Sequence, residues 1–150
     1  MTAYLVDTNV LLRVVKPDDR DYSLVRSAMY QLWTTGYDLC YTSQNLAEFW
    51  NACTRPVERN GYGLSIPEVD RRARLIENQL AFVEDSRAVH QDWRKLVVEC
   101  RVSGAQVHDA RLAAVMRVHG ITRILTFNGG DFARYPGIEA IHPRTIGRPS

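Results

Sequence analysis

Short apolar runs alternate along the chain with longer stretches in which apolar residues recur every three or four positions. The short runs predict β-strands at residues 3–6, 38–41, 82–83, 121–126 and 138–141. The longer stretches predict helices at residues 9–15, 21–35, 44–54, 65–80, 86–100 and 107–119, and the turn over 129–135 contains a short helix. Strands that alternate with helices favour a mainly parallel sheet covered on both faces, which is an α/β fold.

Polar residues at the predicted helix starts indicate how each helix begins. Thr8 is expected to cap the first helix, with Asp7 as the alternative, and Ser43 is expected to cap the third. Ser65 and Glu68 have the spacing of a capping box. Because the chain contains no repeat, linker or low-complexity segment, we expect a single domain over residues 1–150.

The composition is that of an ordinary globular protein and argues against a disordered or low-complexity chain. Hydrophobic residues make up 45% and charged residues 24%, and the formal net charge of +2 gives no basic-protein pattern. The sequence contains no long apolar run and no basic leader, so we expect a cytoplasmic protein without a membrane segment. Cys40, Cys53 and Cys100 are widely spaced, which argues against a zinc ribbon and against a disulfide framework.

Acidic residues stand where the strands of a parallel sheet would end. Asp7 directly follows the first strand, and Glu48 lies one turn into the helix after the second. Asp109 lies in the first turn of the helix before the fourth strand, and Asp131 follows that strand through a turn. Because ligands of such folds bind beyond the carboxyl ends of the strands, we expect these residues to converge. We refer to Asp7, Glu48, Asp109 and Asp131 as the acidic cluster.

Each acid alone has a plain structural explanation. Asp7 could cap a helix, Asp109 could favour a helix N-terminus, Glu48 could lie on a polar helix stripe, and Asp131 could be a turn residue. Carboxylates about 5 Å apart, however, repel by roughly 3 kcal/mol per pair at an effective dielectric of about 20, so a cluster needs protons or cations. Oxygen-only ligands select hard ions, which here are Mg²⁺, Mn²⁺ or Ca²⁺. Mg²⁺ uses few carboxylates plus a substrate phosphate, which indicates phosphodiester hydrolysis.

Several short motifs occur in a fixed order: VDTN at residues 6–9, LAEFW at 46–50, HDA at 108–110 and LTFNGGDF at 125–132, followed by YPGI at 135–138. This ordered set resembles the PIN-domain ribonucleases, and among them the VapC-type toxins of toxin–antitoxin pairs. The similarity covers nearly the whole chain. It implies a three-layer α/β/α fold with a five-stranded parallel sheet and an endoribonuclease that depends on Mg²⁺ or Mn²⁺.

The resemblance also implies roles for individual residues. All four acids of the acidic cluster match the catalytic quartet of the family, and the expected metal ligands are Asp7, Asp109 and Asp131. Glu48 would hold or deprotonate the attacking water. Asn9 and Thr126 match polar residues that support the site by hydrogen bonding. Asn128 stands near a position where some members carry a further acid, which weakens the case for a second firmly held metal ion.

The expected partners follow from the same resemblance. It implies an RNA substrate, a small antitoxin protein that blocks the acidic pocket, contact with operator DNA only through that antitoxin, and a homodimer. Cations near the acids are the candidates for guiding the RNA backbone. They are Arg13, Lys16, Arg55, Arg111 and Arg134.

Two alternatives stay open at this point. The first is a PIN-like module that binds metal or RNA without cleaving it. The second is a HAD-like phosphatase, because Asp7 after a strand also resembles the nucleophile of that class. A phosphatase of that type requires an acid where Asn9 stands and a suitably placed lysine, whereas the lysines of this chain are Lys16 and Lys95.

Overall fold

Five parallel β-strands form the centre of the molecule in the computed structural model, which describes residues 2–146. The strands are β1 (Ala3–Val6), β2 (Asp38–Thr42), β3 (Ala81–Val83), β4 (Arg123–Leu125) and β5 (Glu139–Ile141). Their order across the sheet is β3-β2-β1-β4-β5, and every neighbouring pair is parallel. The predicted α/β fold with a five-stranded parallel sheet is therefore confirmed.

Helices cover both faces of this sheet. They are α1 (Thr8–Val14), α2 (Tyr22–Thr34), α3 (Ser43–Thr54), α4 (Ile66–Gln79), α5 (Arg87–Glu99), α6 (Gln106–Val118) and α7 (Pro143–Ile146). Short 3₁₀ turns occur at Val57–Arg59 and Gly129–Asp131. The sequence pattern did not predict the four-residue helix α7. Within residues 2–146, every helix is too short or too polar to span a lipid bilayer.

The two faces of the sheet bury separate hydrophobic cores. Ala3 and Leu5 of β1 pack with α5 and α6 on one face. Tyr4 and Val6 pack with α1, α2, α3 and α4 on the other face. Successive side chains of a strand point to opposite faces, so a strand buried on both faces is apolar at every position. This requirement explains why β1 is an uninterrupted apolar run and why the polar Asp7 stands directly after it.

Two helices begin at a cap one residue earlier than predicted. Asp7, rather than Thr8, caps α1, and its Oδ1 accepts a hydrogen bond from the Thr8 amide at 2.8 Å. Thr42, rather than Ser43, caps α3 in a reciprocal arrangement with Asn45. In both cases the strand runs directly into the helix. The last extended residue before the helix then has the backbone conformation that an N-cap requires.

Two further expectations were wrong in detail. Ser65 caps α4 as predicted, but the Glu68 carboxylate binds Arg71 and Arg72 instead of completing a capping box. Strand β4 is shorter than the predicted 121–126, because the Ile121 amide donates to the Met116 carbonyl and closes the end of α6. The other strands and long helices agree with the predicted bounds within one residue at each end.

Candidate active site

The acidic cluster is assembled at the carboxyl end of the sheet from four separate segments. Asp7 follows β1, and Glu48 lies on α3 directly after β2. Asp109 lies in the first turn of α6, and Asp131 ends the 3₁₀ turn that follows β4. Strands β2, β1 and β4 are neighbours and run in parallel, so their carboxyl ends lie side by side. The fold thus brings together residues that are far apart in the sequence.

Asp7 is fixed by its backbone and by both of its carboxylate oxygens. Its amide donates to the Leu125 carbonyl at 3.0 Å, which continues the pairing of β1 with β4. Oδ2 accepts hydrogen bonds from Thr126 Oγ1 at 2.7 Å and from Asn9 Nδ2 at 3.3 Å. Asp7 is only 8% exposed, and this burial raises its pKa even though the hydrogen bonds from Thr126 and Thr8 act in the opposite direction.

The supporting residues expected from the sequence lie beside Asp7. Thr126 is 1% exposed, and its hydroxyl also accepts the Asn128 amide at 3.0 Å. Asn9 donates to Asp7, and its Oδ1 accepts the Phe127 amide at 3.2 Å. Asn128 contributes its backbone, and within residues 2–146 its side chain forms no hydrogen bond. Asn9 and Thr126 therefore link the end of β1 to the segment after β4.

Glu48 is held by residues to which the sequence analysis assigned no role at this site. Thr8 Oγ1 donates to Oε1 of Glu48 at 2.9 Å, and Gln44 Nε2 lies 3.4 Å from Oε2. Asn45 is fully buried and donates from Nδ2 to Thr8 Oγ1 at 3.2 Å, so it directs the Thr8 hydroxyl toward the carboxylate. The burial of Asn45 excludes a solvated polar stripe as the explanation of this part of α3.

Two sequence features point to these residues once the fold is known. Thr8 adjoins Asp7 in the VDTN motif, and Gln44 precedes Glu48 by four positions, which places both on one helix face. Asn45 has no comparable feature in the sequence, because its partner Thr8 is 37 residues away.

Negative charge is concentrated around Asp109. Burial and, after it, the charges of Asp131, Asp7 and Glu48 together raise the pKa of Asp109 to about 6, while His108 acts in the opposite direction. The charges of Glu48 and Asp131 also act to raise the pKa of Asp7. The four carboxylates are thus close enough to influence one another. In the part of the chain that the structure describes, none of them forms a salt bridge with a lysine, arginine or histidine.

The donor set fits a hydrated hard cation better than a directly chelated one. Within residues 2–146, no three His, Cys, Asp or Glu side chains are arranged as a ready metal-binding group. Mg²⁺ keeps several waters and uses one or two carboxylates, so it does not require such a group. A set of oxygen donors with unbalanced negative charge matches this preference, whereas structural zinc sites use nitrogen and sulfur ligands.

The basic candidates all have partners within the chain. Arg13 donates to the Asn9 carbonyl, and its guanidinium lies 4.6 Å from the centre of the Phe127 ring. This arrangement places Arg13 beside the residues that support Asp7. The partners of the other four are Asp18 for Lys16, Asn60 for Arg55, Asp85 for Arg111 and Gln106 for Arg134. Contact of these residues with RNA stays a prediction.

Comparison with known families and structures gives one family match and many fold matches. The model of the PIN domain matches residues 4–138. The structure of VapBC2 from Rickettsia felis bound to a promoter DNA fragment is similar with a TM-score of 0.71 and 14% identity, covering 94% of this chain and 98% of that one. No curated protein matches the sequence at a significant level.

Two further structures illustrate the range of the similarity. DNA-bound VapBC from Salmonella typhimurium has a TM-score of 0.64 and 19% identity, over 95% of this chain and 99% of that one. VapC20 from Mycobacterium tuberculosis, described as a toxin that cleaves the sarcin–ricin loop, has a TM-score of 0.62 and 20% identity, over 91% of this chain and 98% of that one. At these identities the similarity shows a common fold.

Proposed function

The chain belongs to the PIN-domain family, and from this premise we propose that it is an endoribonuclease of the VapC toxin type that depends on Mg²⁺ or Mn²⁺. The proposal is carried by the acidic cluster. Its four acids lie at the carboxyl end of the sheet, and the pKa of Asp109 is raised to about 6 by burial and by the charges of the other three. Charge of this kind suits a divalent cation beside a phosphodiester.

Three of the acids are suited to holding the cation, directly or through its water: Asp7, Asp109 and Asp131. When bound, Mg²⁺ or Mn²⁺ supplies positive charge for the phosphoryl group and makes water a stronger nucleophile. Thr126 and Asn9 fix the orientation of Asp7 through the hydrogen bonds to its Oδ2. Because these hydrogen bonds already fix the Asp7 carboxylate, it requires no rearrangement before a cation binds.

Glu48 is the residue we assign to the attacking water. Thr8 and Gln44 each donate toward one of its carboxylate oxygens, so its position is set before substrate arrives. One of these oxygens accepts a proton as the water attacks the phosphorus atom. The bond from phosphorus to the 3′ oxygen breaks, and the departing oxygen takes a proton from solvent, which gives one product with a 5′-phosphate and one with a 3′-hydroxyl.

The same proposal includes partners and location. We propose a cytoplasmic toxin that forms a homodimer and is inhibited by an antitoxin, with operator DNA reached only through that antitoxin. Support comes from the similar fold of VapBC from Rickettsia felis and from Salmonella typhimurium, both solved with DNA. The PIN-domain match favours this interpretation over the HAD-like phosphatase alternative.

Substitution of Asp7 by Asn tests the proposal. Asparagine retains the side-chain oxygen that caps α1, so we expect an intact fold. It loses the negative charge, so we expect the rate of RNA cleavage to fall by about 100-fold or more. Cleavage of structured RNA is measured with Mg²⁺ or Mn²⁺ and again with chelator, which should abolish it. Asp70→Asn is the control, because Asp70 pairs with Arg74 on the surface of α4.

Two results would contradict the proposal. Full activity of Asp7→Asn would show that the acidic cluster does not have the assigned catalytic role. Binding of RNA or metal by the unaltered protein without any cleavage indicates a PIN-like binding module instead. Sequencing of the product ends checks the predicted 5′-phosphate and 3′-hydroxyl.

A further inference from the structure

Gln44 connects two helices that lie on opposite faces of the sheet. It stands in the first turn of α3, whose buried residues belong to one core, whereas α6 belongs to the other. Gln44 Nε2 donates to the His108 carbonyl at 2.8 Å and lies 3.4 Å from Glu48 Oε2. His108 directly precedes Asp109. A single amide group therefore links the segments that carry two acids of the acidic cluster.

The neighbours of Gln44 fix the orientation of its amide group. The His108 carbonyl and the Glu48 carboxylate are both acceptors, so both require the nitrogen of the amide rather than its oxygen. Gln44 Oε1 is consequently turned away from them. It is buried, and no donor lies within hydrogen-bonding distance of it in residues 2–146. A buried acceptor without a donor lowers the stability of the folded protein.

Stability alone does not explain this arrangement. The His108 carbonyl lies inside α6, where the helix itself provides an amide donor four residues later. Glu48 already accepts the Thr8 hydroxyl at 2.9 Å. Gln44 thus adds second donors to groups that have one, and its own oxygen stays unpaired. What the amide adds is a fixed separation between Glu48 and the first turn of α6.

We propose that Gln44 is a positioning residue, which holds the Glu48 carboxylate in register with the segment that carries Asp109. This inference rests on the proposed function, because it concerns the same site. Without Gln44, Thr8 would be the only donor to the Glu48 carboxylate within residues 2–146, and the carboxylate would be free to rotate about that one hydrogen bond. A small displacement of a group that acts on the reacting atoms lowers the rate strongly, while substrate binding is unaffected.

The substitution Gln44→Met tests the proposal, because methionine has a similar length but neither the donor nor the unpaired oxygen. We expect kcat for RNA cleavage to fall about tenfold at an unchanged KM. We expect the Tm to equal or exceed that of the unaltered protein. Gln44→Glu retains the shape but replaces the donor with a second acid beside Glu48, and its kcat should be lower still. Gln91→Met, on the exposed surface of α5, is the matched control.

A second measurement does not depend on catalysis. Amide hydrogen exchange over residues 106–110 is compared in the absence of metal and RNA, and we expect several-fold faster exchange in Gln44→Met than in Gln91→Met. The affinity for Mn²⁺, measured by calorimetry, should fall in the same variant. If the unaltered protein does not cleave RNA, the proposed function fails, while exchange and Mn²⁺ affinity still decide the role of Gln44.

Three outcomes would overturn the inference. The first is unchanged kcat together with unchanged hydrogen exchange in Gln44→Met. The second is a higher KM at unchanged kcat, which would mean that Gln44 contacts the RNA. The third is a fall in Tm that accounts for the lost activity, which would mean that Gln44 serves stability alone.

Discussion

Asp109 is the residue in which the electrostatic cost of the site is most evident. Its pKa is raised to about 6 by burial and by three neighbouring carboxylates. An aspartate in the unfolded chain has a pKa of about 3.9. The folded protein therefore binds a proton more tightly than the unfolded chain does. The stabilisation from this proton is fully present below the unfolded pKa and is lost as the pH rises through about 6.

The substitution Asp109→Asn should therefore stabilise the metal-free protein at neutral pH. Asp109 is partly exposed and its charge is screened by solvent, so we expect a gain of about 1 kcal/mol in the free energy of unfolding at pH ~7.5. At pH ~5 the gain should shrink to about half, because the natural carboxyl group is then mostly protonated in the folded protein but still ionised in the unfolded chain; it should disappear only below the unfolded pKa of about 3.9. Thermal unfolding in the presence of chelator at both pH values measures the difference.

The control for this measurement is Glu99→Gln, which removes an exposed carboxylate at the end of α5. Its Tm should differ little from that of the unaltered protein at either pH. A lower Tm for Asp109→Asn at pH ~7.5 would show that the charge of Asp109 stabilises the fold, contrary to the expectation.

The sequence identified the acids but not the groups that hold Glu48. Asp7, Asp109 and Asp131 follow directly from their places at strand ends and helix starts. The hydrogen bond from Thr8 to Glu48 spans 40 residues and depends on β1 lying next to β2. A strand order of this kind is a property of the whole sheet, and no local pattern encodes it.

At the scale of secondary-structure elements, the sequence predicted the type and place of nearly all helices and strands but not their caps. Thr8 and Ser43 are good N-cap residues, and so are the residues before them. The choice between neighbouring candidates is made by the sheet, because pairing extends to Thr42 in β2 and the Asp7 amide still bonds to β4. For Asp7 this choice has chemical importance, because the residue that caps α1 is also an acid of the site.

The loop after α3 is another element whose structure depends on contacts rather than on pattern. It folds back so that the Tyr62 amide donates to the Ala52 carbonyl at 3.0 Å and the Leu64 amide donates to the Cys53 carbonyl at 2.9 Å. Gly61 lies so close to Arg55 that a Cβ atom at Gly61 would be 1.9 Å from the Arg55 carbonyl oxygen. No side chain fits there unless the backbone moves.

The substitution Gly61→Ala should therefore destabilise the protein by at least about 2 kcal/mol, because the new methyl group collides with the backbone of Arg55. Chemical denaturation measures the change. Gly130→Ala is the matched control, because a Cβ atom at Gly130 has no atom within 4 Å. Equal stability of the two variants would mean that the loop does not pack against α3 in solution as it does here.

At the scale of the whole molecule, negative charge is concentrated at the carboxyl end of the sheet, although the net charge of the chain is +2. Four segments each contribute one acid to this end of the sheet: the residue after β1, α3, α6 and the turn after β4. A cation bound at this site, as proposed, would be held by groups from both faces of the sheet. Because these groups come together only in the folded chain, such a cation should stabilise the entire domain.

Addition of Mn²⁺ should therefore raise the Tm, and chelator should reverse the effect. At a concentration about 100 times the dissociation constant, the gain is about 2.7 kcal/mol for one site. Thermal unfolding over rising Mn²⁺ concentrations measures it. Asp109→Asn should show a smaller shift and Glu99→Gln an unaltered one, whereas no shift in the natural sequence would argue against a metal site.

The long reach of the contacts around Asp7 has a consequence for synthesis of the protein. Thr126 and Asp7 are hydrogen-bonded although 119 residues separate them, and β4 lies between β1 and β5 in the sheet. A growing polypeptide cannot assemble this neighbourhood until Thr126 and the strands on either side of it have been synthesised. Under the proposed function, a nascent chain is therefore inert until both ends of this contact have left the ribosome and paired.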